Sequence, residues 1–112
     1  MVSSSPVISG SSIIANDAIS DSGSGGGIYM NNSSPHISSN TINLNTAVNA
    51  GGGIMLSNSY LNVGENNISG NTIENNSANY GGGIYINNSN PKITNNLSIN
   101  GNSALHGGAM MM

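Results

Sequence analysis

Three consecutive glycines recur at 25, 51 and 81, and Gly107-Gly108-Ala109 stands where a fourth triplet falls, so the copies are 26, 30 and 26 residues apart. The likeness runs past the glycines: GGGIYMNNSSPHISSN at 25–40 is nearly repeated as GGGIYINNSNPKITNN at 81–96, with a looser GGGIMLSNSY between them. A second marker keeps the same interval. Ile-x-x-Asn-x-Ala falls at Ile13/Asn16/Ala18, Ile42/Asn45/Ala47, Ile73/Asn76/Ala78 and Ile99/Asn102/Ala104. Two independent markers on one interval define an array of a single unit, which buries its apolar face only by stacking on its neighbours.

The residues in the unit decide what it is. Glycine triplets, Asn and β-branched Ile are weak helix formers, and no apolar stripe recurs at helical spacing. A leucine-rich repeat needs a leucine comb, which the scattered Leu44, Leu56, Leu61, Leu97 and Leu105 do not make. A β-solenoid fits, because its coils are short strands joined by turns in which Gly and Asn adopt positive φ at little cost. The sequence therefore predicts an all-β, parallel β-helix of about four coils with three short strands in each, a single segment of a longer solenoid. The coils fall at about 1–24, 25–50, 51–80 and 81–106, and the next begins at 107–112.

Alternation along a strand places every second side chain on one face. After each glycine triplet the first position stacks Ile28, Ile54, Ile84 and Met110 and the third stacks Met30, Leu56, Ile86 and Met112, both inward; the middle position sends Tyr29, Met55, Tyr85 and Met111 outward. Ile8, Ile37 and Ile93 start a second inward column, and Ile13, Ile42, Ile73 and Ile99 a third. In the longer copy Val63 and Ile68 are both candidates for the second column. Asn16, Asn45, Asn76 and Asn102 are expected to form a ladder of stacked turn amides, with the small Ala two residues on letting the chain bend inward.

Composition limits what such a scaffold can do. With one basic residue and a net charge of −3 the surface has no cationic face for phosphate backbones, so no nucleic-acid binding is expected. The absence of Cys removes disulfides and thiolate metal sites, and no apolar run is long enough for a membrane span. No export signal is visible in this chain.

GGGIYINNSNPKITNNLSINGNSALHGGAMMM resembles the coils of right-handed parallel β-helix proteins of the pectin-lyase-like superfamily. Ile-x-x-Asn-x-Ala followed by Gly-Gly-(Gly/Ala)-Ile is similar to the paired repeats of polymorphic outer-membrane adhesins, although those usually open with Phe, where this chain has Ile13, Ile42, Ile73 and Ile99, and read Gly-Gly-Ala, found here only at 107–109. The resemblance implies export to a cell surface or the extracellular space, as a passenger or stalk segment.

Catalysis on this fold calls for clustered carboxylates with a Lys or Arg base. Here Arg is absent and Asp17, Asp21, Glu65 and Glu74 share no column, so they read as solvated turn acids. His36 aligns with Val7 and Lys92, and His106 with Ala50 and Tyr80; neither shows a partner in the sequence. No catalytic, cofactor or metal residue is expected in this segment. Three functions remain: a structural or adhesive surface segment, a carbohydrate-binding or carbohydrate-processing β-helix whose catalytic coils lie outside this chain, and an ice-binding solenoid, for which Thr41, Thr46, Thr72 and Thr94 form no flat array. The first is the expected one, with Tyr29, Met55, Tyr85 and Met111 as a surface-binding stripe for glycans or host cell-surface proteins and with end-to-end stacking on further coils or copies.

Overall fold

The computed structural model describes residues 5–59 and 67–112, which form strands, turns and bends with no helix among them. The chain makes four circuits, and each circuit adds one strand to each of four parallel sheets. The first sheet stacks β1 (Val7–Ser9), β5 (His36–Ser38), β9 (Asn67–Ser69) and β13 (Lys92–Thr94). The second stacks β2 (Ser12–Ile14), β6 (Thr41–Asn43), β10 (Thr72–Glu74) and β14 (Ser98–Asn100), and the third β3 (Asp17–Ala18), β7 (Thr46–Ala47), β11 (Ser77–Tyr80) and β15 (Ser103–His106). The fourth holds the strands that follow the glycines: β4 (Ile28–Asn31), β8 (Ile54–Ser57), β12 (Ile84–Asn87) and β16 (Met110–Met111).

Four strands per circuit replace the three that the sequence predicts. The additional sheet is the third, built on the column Ala18, Ala47, Ala78 and Ala104, which the sequence reading takes for a bend. Backbone bonding carries straight through the corner into it: Thr46 N donates to Asn16 O at 2.9 Å, Ser77 N to Asn45 O at 2.9 Å and Ser103 N to Asn76 O at 2.8 Å. A strand as short as Asp17–Ala18 shows no alternation, and Ala at its inward position lacks the bulk that marks the other columns.

The predicted columns pair residue for residue. Ile28, Ile54, Ile84 and Met110 are neighbours across the fourth sheet, as are Met30, Leu56 and Ile86. Ile13, Ile42, Ile73 and Ile99 align across the second. In the first sheet Ile68 stands between Ile37 and Ile93, which settles the inward residue of the long circuit; Val63 lies outside the described residues. These columns meet in one aliphatic core in which Met30, Ile37, Ile42, Ile54, Leu56, Ile68, Ile73 and Ile84 are fully buried. Met112 does not extend its column and is 84% exposed.

The corners have a rule of their own. Each of the first three circuits turns at four residues of positive φ, for example Ser39 (57°), Leu44 (57°), Gly51 (65°) and Asn58 (51°) in the second. Three of the four follow one pattern: an inward apolar residue, one outward residue, the left-handed residue, then Asn or Ser. The fourth corner is the first glycine of each triplet.

Candidate functional site

The turn amides form the predicted ladder. Asn16, Asn45 and Asn76 each donate both the backbone N–H and Nδ2 to Oδ1 of the next Asn in the row, ending at Asn102, at 2.9 to 3.0 Å. The second Nδ2 hydrogen reaches back a circuit: Asn45 to Ile13 O, Asn76 to Ile42 O and Asn102 to Ile73 O, at 2.8, 3.0 and 2.8 Å. A second ladder, which the sequence reading missed, runs through Asn40, Asn71 and Asn96 at the corner between the first and second sheets. Asn40 reaches back to Ile8 O, Asn71 to Ile37 O and Asn96 to Ile68 O, so the two rows have the same bonding. Serines take the place of Asn at a third corner, where Ser33 N donates to Ser59 Oγ and Ser59 N to Ser89 Oγ.

The glycine triplets are fitted to the first ladder. A methyl on Gly53 would lie 2.6 Å from Gly83 O and 3.1 Å from Asn76 Nδ2, and one on Gly52 would lie 2.4 Å from Gly82 O. Gly51 needs its positive φ of 65° instead. Close packing of the circuits thus requires Gly52 and Gly53, and the turn requires Gly51, which accounts for the motif without a phosphate cradle; a strand follows it, with no helix N-terminus to receive an anion.

On the outside, Tyr29, Met55, Tyr85 and Met111 do stand in one unbroken row, paired through β4, β8, β12 and β16. The row is not uniformly open. Tyr29 is 39% exposed, Tyr85 and Met111 are half-buried, and Met55 is buried at 8%. Beside its first two members an open groove of about 540 Å3 is lined by Tyr29, Met55, Asn49 and the serines of the loop between β3 and β4. That loop is longest in the first circuit, where six residues, Ile19 to Ser24, separate Ala18 from Gly25.

Asp17 and Glu74 stand in different sheets. Asp17 pairs with Thr46, and Glu74 lies between Asn43 and Asn100, so no two of these carboxylates are neighbours across a sheet. No group of three His, Cys, Asp or Glu side chains capable of holding a metal occurs among the described residues; Glu65 lies outside them. His36 sits in a row with Val7, Asn67 and Lys92. His106 has the partner that the sequence did not reveal: its ring stacks on Tyr80, with centroids 5.2 Å apart and planes 14° from parallel. Thr41 and Thr72 are neighbours, with Ser12 and Ser98 on either side, a single hydroxyl column in the second sheet.

Uninterrupted parallel sheets wound around an aliphatic core, with amide ladders at the corners, define a β-solenoid. The family model for the right handed beta helix region matches residues 2–110, and the chain belongs to that family. A pectin-lyase-like fold is consistent with both. Searches of curated proteins and of solved structures give no significant match.

Proposed function

We propose that this chain is a non-enzymatic display segment of an exported β-helix, which holds an adhesive face at a cell surface or in the extracellular space. The observation that supports it is the register of the fourth sheet. It sets two tyrosines and two methionines in a line one strand spacing apart, on a backbone whose corners are locked by amide ladders. Tyr side chains present an apolar ring with a polar tip at small conformational cost, which suits them to stack on a sugar ring or to anchor a protein partner. The low charge leaves the face without long-range electrostatic preference, so recognition rests on shape and stacking.

The groove beside Tyr29 favours a second, narrower reading, a carbohydrate-binding coil within a longer carbohydrate-processing β-helix whose catalytic coils lie elsewhere. Tyr29 lines the groove together with Asn49, Ser20, Ser22 and Ser24, the mixture of an aromatic ring and uncharged polar groups that an uncharged sugar requires. The experiment is to replace Tyr29 and Tyr85 by Ser and measure binding to a glycan array and to intact cells, together with the melting temperature. Binding lost with the melt preserved supports a recognition face; binding unchanged removes it.

A further inference from the structure

The outward face of the fourth sheet carries more than the tyrosine row. Alternation along β4, β8 and β12 puts Asn31, Ser57 and Asn87 on the same side as Tyr29, Met55 and Tyr85, two residues further on, and the pairing aligns them circuit by circuit. At the corner beyond them the amides are linked: Asn88 Nδ2 donates to Asn58 Oδ1 at 2.8 Å, and Asn58 Nδ2 to Asn31 Oδ1 at 3.4 Å. On the other side of the row lies the groove with Asn49 and the loop serines. The aromatic row thus runs between two uncharged polar flanks.

The sheet fixes its spacing. Tyr29 and Tyr85 are two strand spacings apart, about 9.6 Å, along the axis of the solenoid. Between them Met55 is the more deeply set, 8% exposed against 39% for Tyr29. A ligand that touches both rings must therefore offer two apolar faces at that separation, turned the same way, with a shallower contact in the middle. An extended chain of β-1,4-linked pyranose rings has this form, because successive rings are turned over and the first and third present the same face at nearly this distance. An α-1,4-linked chain curls and leaves the line.

Charge narrows the class further. Asp17 in β3 and Asp21 in the loop whose serines line the groove are both anionic, whereas Lys92, the one basic residue of the chain, stands in β13 of the first sheet, beyond the Asn88 corner. A uronate chain would meet like charge beside the groove and no cation in either row of the face.

We propose that the recognition face takes an unbranched, uncharged β-1,4-linked glycan laid along the solenoid axis, with alternate sugars stacked on Tyr29 and Tyr85, the intervening sugar over Met55, and the flanking Asn and Ser side chains meeting its hydroxyls. This inference rests on the reading of the row as a recognition face and adds to it the class of ligand and its direction.

The test is a length series on the unmodified chain, read by titration calorimetry. Among cello- and N-acetylated chito-oligosaccharides of two to six units, at least one series is expected to gain roughly tenfold in affinity between two units and three, the shortest chain that reaches both rings. Tyr85→Ser is expected to remove that step, and Tyr80→Ser, which takes away an exposed tyrosine of the third sheet, to keep it. Maltohexaose and hexagalacturonate are expected to bind roughly tenfold more weakly than the hexamer of the preferred series. The inference is overturned if neither series shows the step, if the step survives Tyr85→Ser or is lost with Tyr80→Ser, or if either control matches the preferred hexamer. Capture of intact cells that depends on Tyr29 and Tyr85, with neither series bound, also overturns it but leaves the recognition face in place. Cell and glycan binding that are both unchanged in Tyr29→Ser/Tyr85→Ser removes the face itself.

Discussion

Asn45 Nδ2 donates to Asn76 Oδ1 at 3.0 Å, and the same oxygen takes the Asn45 backbone N–H at 2.9 Å, with both residues fully buried. One side-chain oxygen thus satisfies two donors that have no access to water, while Asn76 Nδ2 covers Ile42 O behind it. Asn76→Val keeps the volume but leaves two buried donors and one acceptor unpaired. Since each such group costs about 1 to 3 kcal/mol, a total loss of about 3 kcal/mol or more is expected. Urea denaturation measures it, and an unchanged midpoint would show that the ladder contributes nothing.

Gly53→Ala tests the fit of the glycines to that ladder. The added methyl meets Gly83 O at 2.6 Å, a backbone atom held in the sheet, so the circuits must part for it. The expected cost is about 1 to 3 kcal/mol. Gly10→Ala is the control for the bulk of a methyl, because nothing lies within 4 Å of the position. At φ 58° it costs only the left-handed strain, about 1 kcal/mol. Equal losses at the two sites would refute the steric account.

The Ile columns and the Asn16 ladder were legible in the sequence because they recur with bulky or unusual residues at fixed offsets. The Asn40 ladder carries the same Ile-x-x-Asn signal, at Ile37/Asn40, Ile68/Asn71 and Ile93/Asn96. It escaped for two reasons: Ser11 breaks it on the first circuit, and the uncertain choice between Val63 and Ile68 hid its third member. The third sheet was hidden by its brevity, since Asp17–Ala18 has a single inward residue and that residue is small. The burial of Met55 could not be read at all. Pairing fixes which residues lie in a row, but not what lies over the row.

At the second-circuit corner Leu44 holds φ 57° and is 54% exposed. A β-carbon in the left-handed region costs roughly 1 to 2 kcal/mol, and Asn, which tolerates it, already holds the same corner at Asn75. Leu44→Asn is therefore expected to raise stability by about 0.5 to 1 kcal/mol, read as a higher urea midpoint with an unchanged slope. A lower midpoint would mean that the exposed leucine has a packing role that outweighs its strain.

The outward row allows stability and recognition to be separated residue by residue. Met55 is buried between Tyr29 and Tyr85, so Met55→Ala removes packed surface and is expected to cost about 2 kcal/mol, at the low end for a buried Met. Tyr29 is 39% exposed, and Tyr29→Ser forfeits cross-strand contact of about 0.2 to 1 kcal/mol. If the row is a recognition face, the order reverses for binding: Tyr29→Ser weakens capture of the ligand identified on the array more than Met55→Ala does, measured well below its melting temperature, because Tyr29 is the more exposed of the two. Paired melting and binding curves on the two variants decide it. A Tyr29→Ser protein that melts lower and binds as before would make the row a scaffold element with no role in recognition.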